Sequence, residues 1–203
     1  MIIVDTALAR RAAEGKPVRV ALVGGGYMAR CIALQIVSAI RGMKLVAIAN
    51  RTVSKAETAY REAGVSNPVH VNTVADLQKA IEQDRYAVTD DAMLVCQAGN
   101  IDAVIEATGH VEFGTRVSFE AIRHGKHVIL MSAEIDASVG PILKTYADRA
   151  GVTYSYTDGD EPGVGMNMYR FLDSMGYQPL LMGQMKGMLD RYGTPETQKA
   201  FAE

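Results

Sequence analysis

From residue 18 to about residue 176, short apolar runs rich in β-branched residues alternate with longer segments of helical periodicity. A short continuous apolar run indicates a buried strand, whereas apolar residues at spacings of three and four indicate a helix packed on one face. Most of the helical segments stop at a glycine, which is typical of helix ends. The predicted strands are residues 18–23, 44–49, 69–71, 102–107, 127–131 and 152–156.

The alternation predicts an α/β fold with a doubly wound parallel sheet of the Rossmann type. Strands that are apolar on both faces, as at residues 128–131, belong in a parallel sheet covered by helices on both sides. We expect an N-terminal helical arm at residues 1–17 and a dinucleotide-binding domain at 18–157. Residues 158–203 would begin an incomplete C-terminal region for substrate binding or oligomerisation.

Helix starts are indicated by hydroxyl and carboxylate residues at the spacing of a capping box. Ser54 with Glu57 and Thr73 with Asp76 have this spacing. The connection at residues 84–100 is longer than usual, and its segment 89–91 predicts the cap of an extra helix that ends at Gly99.

Composition narrows the class of protein. The 203 residues carry 21 Lys and Arg against 23 Asp and Glu, a net charge of −2, and 48% are hydrophobic. This balance argues against nucleic-acid binding and against disorder. No apolar stretch is long enough to span a membrane, and Cys31 and Cys96 are too few for a disulfide framework. We therefore expect a cytoplasmic protein that binds neither nucleic acid nor membrane.

The strongest motif follows the first strand, where G-x-G-x-x-A opens a helix. Its residues are Gly24, Gly25, Gly26, Tyr27, Met28 and Ala29. Gly24 permits a tight turn, Gly26 lets a pyrophosphate approach the backbone, and Ala29 lets the helix pack closely on the strand. Because the motif lies at the first strand–helix junction, it predicts a dinucleotide site, the alternative being a glycine turn kept only for packing.

The second strand ends in Asn50 and Arg51, where an NAD-binding protein usually has an acid for the ribose 2′-hydroxyl. A guanidinium group matches the oxygens of a 2′-phosphate, and a neutral Asn does not repel them. The sequence therefore favours NADP(H), with NAD(H) as the alternative. The alternative is that Arg51 is a solvated turn residue.

Further candidates follow later strands at the same edge of the predicted sheet. Thr108 and Gly109 are expected to line the nicotinamide side, whereas His110 is more simply a solvated or capping residue than an acid–base catalyst. Glu134 is either a substrate contact or the first-turn acid of the next helix.

The segment after the sixth strand carries the candidate catalytic residues. Asp160 and Glu161 stand in a loop that is either functional or simply a turn, and Lys186 is the candidate donor to a carbonyl oxygen. Six of the 11 methionines lie between residues 166 and 188, and they form either a core face or a surface for a partner. Because residues 158–203 are too few for an independent core, we expect a homo-oligomer or a missing C-terminal domain.

Several segments together resemble the homoserine dehydrogenase-like NAD(P)-binding oxidoreductases that carry a C-terminal SAF domain. They are residues 1–6, 23–29, 49–52, 89–91, 102–109 and 159–163. The resemblance implies a Rossmann domain, NAD(P)H as hydride carrier, and a small carbonyl substrate that is phosphorylated or hydroxylated. Some members of that group are similar in activity to deoxyxylulose-phosphate reductoisomerase.

The expected function is hydride transfer between NADP(H) and the carbonyl or alcohol carbon of a small polar metabolite, with no metal. Two alternatives remain. The first is a reductoisomerase-like reaction on a sugar phosphate, with a divalent metal held by carboxylates such as Asp158, Asp160 and Glu161. The second is a cofactor-binding module without catalysis of its own.

Overall fold

The computed structural model of the chain describes residues 4–157, 163–183 and 191–197. Contacts along the backbone divide the chain into two compact units, residues 1–157 and 158–203. The first unit contains seven strands and seven helices within its described residues, and the second contains helix α8.

The elements alternate along the first unit as the sequence predicts. The strands are β1 (Val18–Val23), β2 (Met43–Ala49), β3 (Val69–His70), β4 (Ala87–Thr89), β5 (Ala103–Glu106), β6 (His127–Leu130) and β7 (Tyr154–Tyr156). The helices are α1 (Val4–Ala13), α2 (Tyr27–Ser38), α3 (Val53–Glu62), α4 (Val74–Glu82), α5 (Ala92–Gln97), α6 (Val111–Arg123), α7 (Ala133–Ala150) and α8 (Gly163–Ser174).

All seven strands form one parallel sheet in the order β3-β4-β2-β1-β5-β6-β7. The order confirms the predicted doubly wound fold, because β2, β3 and β4 lie on one side of β1, and β5, β6 and β7 lie on the other. The sequence analysis missed β4, which lies inside the connection it assigned to residues 84–100. The extra helix predicted there is α5, and the Asp91 side chain caps it by accepting from the Met93 N–H.

Apolar side chains cover both faces of the sheet. In β1, Val20 and Leu22 pack against α2 and α3, whereas Ala21 and Val23 face the core formed with α4 to α7. Burial on both faces explains why the strands read as continuous apolar runs rather than as alternating patterns. Polar residues instead follow the strand ends, as Asn50 follows β2 and Asp90 follows β4.

One of the two predicted capping boxes is confirmed and the other is wrong. The Thr73 hydroxyl accepts from the backbone N–H of Asp76 at 3.1 Å at the start of α4. Ser54 instead lies inside the first turn of α3, which begins at Val53, and Thr52 occupies the cap position without a side-chain bond. Because the hydroxyl residues Thr52 and Ser54 flank the first residue of α3, the spacing alone places the cap two residues too late.

Neither cysteine forms a disulfide. Cys31 is exposed on α2, whereas Cys96 is buried on α5, and burial raises the pKa of its thiol to about 12. Cys96 therefore behaves as a packing residue rather than as a nucleophile. Across the described ranges, no helix combines the length and the apolar character needed to cross a membrane.

In the second unit, α8 presents apolar side chains that are not buried. Met168, Phe171 and Met175 are each at least half exposed, and no residue of α8 is buried. The hypothesis that these residues form a core face is therefore wrong for the part of the segment that the structure describes. The hypothesis that they meet a partner stays a prediction.

Candidate functional site: a cleft at the strand ends

A cleft of about 620 Å³ lies at the carboxyl ends of four strands of the first unit. Val23, Ala49 and Ala107 mark the ends of β1, β2 and β5 in its wall, and Asp90 follows β4. The cleft thus opens where β1 separates β2 from β5, at the point where the strand order reverses. In open α/β sheets, ligands bind at this point.

Gly24 makes the turn from β1 into the cleft, and the structure explains why glycine stands there. Its φ is +132°, a conformation that other residues rarely adopt. A Cβ atom at this position would also lie 2.7 Å from the carbonyl oxygen of Ala107. Residue 24 therefore needs glycine both for its conformation and for the close approach of β5.

The next two glycines differ in their surroundings. A Cβ on Gly25 would lie 2.8 Å from Cγ of Asn50, so this glycine allows the turn to pack on the end of β2. A Cβ on Gly26 would meet no atom within 4 Å, so the space in front of its backbone is open. Gly26 is also the N-cap of α2 and makes no side-chain cap, which leaves the first N–H groups of the helix without a side-chain partner.

The remaining motif residues divide between the core and the surface. Ala29 is fully buried on the face of α2 that packs against β1, as its predicted packing role requires. Tyr27 and Met28 are exposed on the first turn of α2 and are not among the residues that line the cleft. Any contact of these two side chains with a cofactor stays a prediction.

Asn50 and Arg51 line the cleft beside the glycine turn, together with Lys55 from the first turn of α3. The Asn50 side chain donates to the carbonyl oxygen of Thr52 at 2.8 Å, which fixes the turn. Arg51 is exposed, and its guanidinium group forms no hydrogen bond or ion pair with any residue that the structure describes. The wall at the end of β2 therefore presents two positively charged side chains, those of Arg51 and Lys55, to a ligand. Of the acidic residues that line the cleft, Asp90 is the nearest to them in sequence.

The opposite wall comes from β5 and α6. Thr108 and His110 line it, and Glu112, Phe113 and Arg116 extend it along the first turns of the helix. His110 is the exposed N-cap of α6 and makes no side-chain cap. Gly109 lies between these residues with a φ of +72°.

Glu106 is a site residue that the sequence analysis missed. It ends β5, its side chain is fully buried, and its carboxylate accepts hydrogen bonds from Thr108 and Ser132. The signal was an acid at the end of an otherwise apolar strand, Ala103–Glu106. Buried acids of this kind are rare unless their oxygens are fully bonded.

The other candidates lie elsewhere. Glu134 is exposed in the first turn of α7, and it does not line the cleft. Lys186, Asp160 and Glu161, the candidate catalytic residues, and Asp158 all lie outside the described residues. Within the described ranges, no three His, Cys, Asp or Glu side chains are grouped so as to hold a metal ion.

Two family models match separate parts of the chain. Residues 7–90 match the model for shikimate/quinate 5-dehydrogenase, and residues 159–203 match the model for the catalytic domain of oxidoreductase DRL. Both models describe oxidoreductases, and each covers less than half of the chain. A comparison with the curated proteins found no match.

Solved structures resemble the chain in fold. They include scyllo-inositol dehydrogenase from Lactobacillus casei with bound NAD(H) and scyllo-inositol, at 19% identity and a TM-score of 0.56 over 79% of this chain and 42% of that one. Biliverdin reductase from Synechocystis with biliverdin and NADP+ gives 19% identity and a TM-score of 0.55 over 79% and 43%. Homoserine dehydrogenase from Thiobacillus denitrificans gives 23% and 0.52 over 70% and 29%.

These likenesses show a Rossmann-type fold. The chain spans less than half the length of the solved structures it resembles.

Two glycine substitutions should separate folding from binding. Gly26→Ala should keep the free energy of unfolding within about 1 kcal/mol, because its Cβ enters open space, but should weaken nicotinamide nucleotide binding at least roughly tenfold. Gly24→Ala should lower the free energy of unfolding by at least about 1–3 kcal/mol, because it combines a disfavoured φ with a clash. Denaturant unfolding and fluorescence titration measure the two quantities. Unchanged binding in Gly26→Ala would show that no ligand approaches this turn.

Proposed function

We propose that the chain is an NADP(H)-dependent oxidoreductase unit that holds its cofactor in the cleft at the strand ends. The proposal rests above all on one observation: an open glycine turn before α2 and Arg51, which has no partner among the described residues, border the same cleft. The two oxidoreductase family models support it. The substrate would be a small polar carbonyl or alcohol, as the resemblance to the homoserine dehydrogenase-like SAF group implies.

The residues of the glycine turn fit the pyrophosphate of a dinucleotide. The first N–H groups of α2 carry the partial positive charge of a helix N-terminus, and they face open space at Gly26. Gly25 and Gly26 add no side chain that would block the approach of phosphate oxygens. Ala29 would act only indirectly, by letting α2 lie close to β1.

The end of β2 fits an adenosine ribose that carries a 2′-phosphate. Arg51 offers a planar fork of N–H donors, and Lys55 adds a second positive charge on the same wall. Asn50 is neutral and is already bonded to Thr52, so it leaves room for the phosphate without repelling it. These features favour NADP(H) over NAD(H).

The end of β5 would then receive the nicotinamide half. When bound, nicotinamide supplies the hydride acceptor or donor of the reaction at its C4 atom. Thr108 would pack against one side of the ring, and Phe113 and Val111 would add apolar surface that excludes water. Gly109 would allow the loop to pass close to the ring without a side chain.

Acid–base chemistry would come from residues 158–203, whose match to a catalytic-domain model supports this assignment. In the direction of oxidation, the C–H bond of the alcohol carbon would break as its hydride passes to the bound nicotinamide, and the hydroxyl proton would pass to the unprotonated amine of Lys186. In the direction of reduction, Lys186 returns a proton to the carbonyl oxygen. Asp160 and Glu161 would hold the substrate or the charge of Lys186.

The cofactor preference depends on Arg51. Arg51→Asp should weaken NADPH binding roughly 10- to 100-fold, because a charge-assisted contact with the 2′-phosphate becomes a repulsion, while NADH affinity changes little. Titration of each nucleotide, followed by nicotinamide fluorescence, measures both. Arg41→Asp is the matched control, since Arg41 precedes β2 and lies at the opposite end of that strand from Arg51. Equal or weaker affinity of the wild-type chain for NADPH than for NADH would contradict the role of Arg51.

Turnover tests the hydride transfer itself. The protein is mixed with NADP+ and a panel of hydroxy acids, amino alcohols and sugar phosphates, and the absorbance of the reduced cofactor is followed. At least one compound should be oxidised above the cofactor background, and Lys186→Met should lower kcat roughly 100-fold or more without changing NADPH affinity. Lys199→Met, at the only other lysine after residue 157, should leave kcat unchanged. A rate with Lys186→Met equal to wild type would remove Lys186 from the mechanism.

A further inference from the structure

Glu106 is a fully buried carboxylate next to the cleft, and none of the ion pairs within the described residues includes it. A buried carboxylate without a cation is stable only when hydrogen-bond donors surround its oxygens. Ala107 and Thr108, the two residues that follow it, line the cleft.

Two side chains and one backbone group donate directly to the carboxylate. The backbone N–H of Thr108 donates to Oε1 at 2.8 Å, and the Thr108 hydroxyl donates to the same oxygen. The Ser132 hydroxyl donates to Oε2 at 2.8 Å. All of these contacts suit an acceptor-only group with two oxygens.

The same hydroxyls accept from the next two backbone groups of the loop. The N–H of Gly109 donates to Oγ of Ser132 at 3.1 Å, and the N–H of His110 donates to Oγ1 of Thr108 at 3.3 Å. Three consecutive N–H groups, those of residues 108–110, therefore lead to one carboxylate, either directly or through a single hydroxyl. The loop after β5 is folded around the Glu106 side chain.

Pairing of the two strands does not depend on this side chain. Backbone bonds already join β5 and β6 from Ala103 to Glu106, and the N–H of Met131 donates to the backbone oxygen of Glu106 at 2.8 Å. Ser132 stands at the N-cap of α7, where a serine commonly caps the helix, yet its hydroxyl bonds Glu106 instead. The network thus serves the loop rather than the sheet or the helix.

Helix α6 is shaped to accommodate the network. A Cβ on Gly114 would lie 2.9 Å from the carboxyl carbon of Glu106 and 2.2 Å from Cδ1 of Ile135. Glycine is unfavourable in the interior of a helix, so its presence here reflects the close approach of α6 to the carboxylate. The buried acid and the glycine above it form one packed unit behind the cleft.

We infer that Glu106 is a positioning residue that preorganises the nicotinamide half of the cofactor site by fixing the loop at residues 107–110. The inference rests on the proposed function. Gly109 gives this loop a wide choice of conformations, and an unfixed loop would have to be ordered each time the cofactor binds. Because the loop N–H groups turn toward Glu106, they are not offered to phosphates, which leaves the N-terminus of α2 as the anion-binding end.

The test compares NADPH with 2′,5′-ADP, which keeps the adenosine half and its 2′-phosphate but lacks nicotinamide. Glu106→Gln replaces one acceptor oxygen with an NH2 donor that opposes donors already present, so it should loosen the loop without removing bulk. Calorimetric titration of the full chain should show NADPH binding weakened roughly tenfold and 2′,5′-ADP binding changed by less than about twofold. Glu82→Gln, at an exposed position on α4, should change neither affinity.

Ser132→Ala is the second variant, because it keeps the carboxylate and removes only the hydroxyl that links Oε2 of Glu106 to the N–H of Gly109. It should weaken NADPH binding by roughly threefold and leave 2′,5′-ADP binding unchanged, even if Glu106→Gln does not fold. Loss of both affinities by the same factor, or no loss of either, would overturn the inference, as would a wild-type chain that binds NADPH no more tightly than 2′,5′-ADP. A wild-type chain that binds neither ligand would overturn the proposed function itself.

Discussion

The backbone at the end of β5 passes so close to Gly24 that a Cβ atom at residue 24 would lie 2.7 Å from the carbonyl oxygen of Ala107. This approach is possible because β1 and β5 are adjacent parallel strands whose ends lie level, from Val20 paired with Ala103 to Val23 paired with Glu106. It brings the loop after β5 against the turn that starts α2. The turn after β1 meets the end of β5 on one side and has the end of β2 on the other, and the cleft lies at this point.

The two walls of the cleft differ in whether their backbone N–H groups are available to a ligand. At α2, the N–H groups are left open toward the cleft, since Gly26 carries no side chain and no side-chain cap. At β5, the N–H groups are withdrawn from the cleft, since Glu106 gathers them through Thr108 and Ser132. An anionic group is therefore favoured at the first wall and a ring without negative charge at the second, which agrees with the placement of pyrophosphate and nicotinamide in the proposed function.

Periodicity was sufficient to predict the parallel sheet, because buried strands and glycine-terminated helices repeat clearly. It missed β4, Ala87–Thr89, since this short strand lacks the nearby proline or glycine that precedes the similarly short β3 and β7. Spacing alone also could not tell the true cap at Thr73 from Ser54, because the choice depends on where each helix begins. Glu106 was missed for a different reason: the role of a buried acid is visible only once the fold brings a distant donor, here Ser132, beside it.

In the proposed function, a dinucleotide lies across the ends of β1 and β5. Hydrogen–deuterium exchange of the chain with and without NADPH tests this placement, because backbone N–H groups that bind a ligand or are covered by it exchange more slowly. We expect slower exchange in peptides that cover residues 24–30 and 107–116, with no change in α4. Binding of NADPH that leaves both segments unchanged, or that protects only segments far from this edge of the sheet, would contradict it.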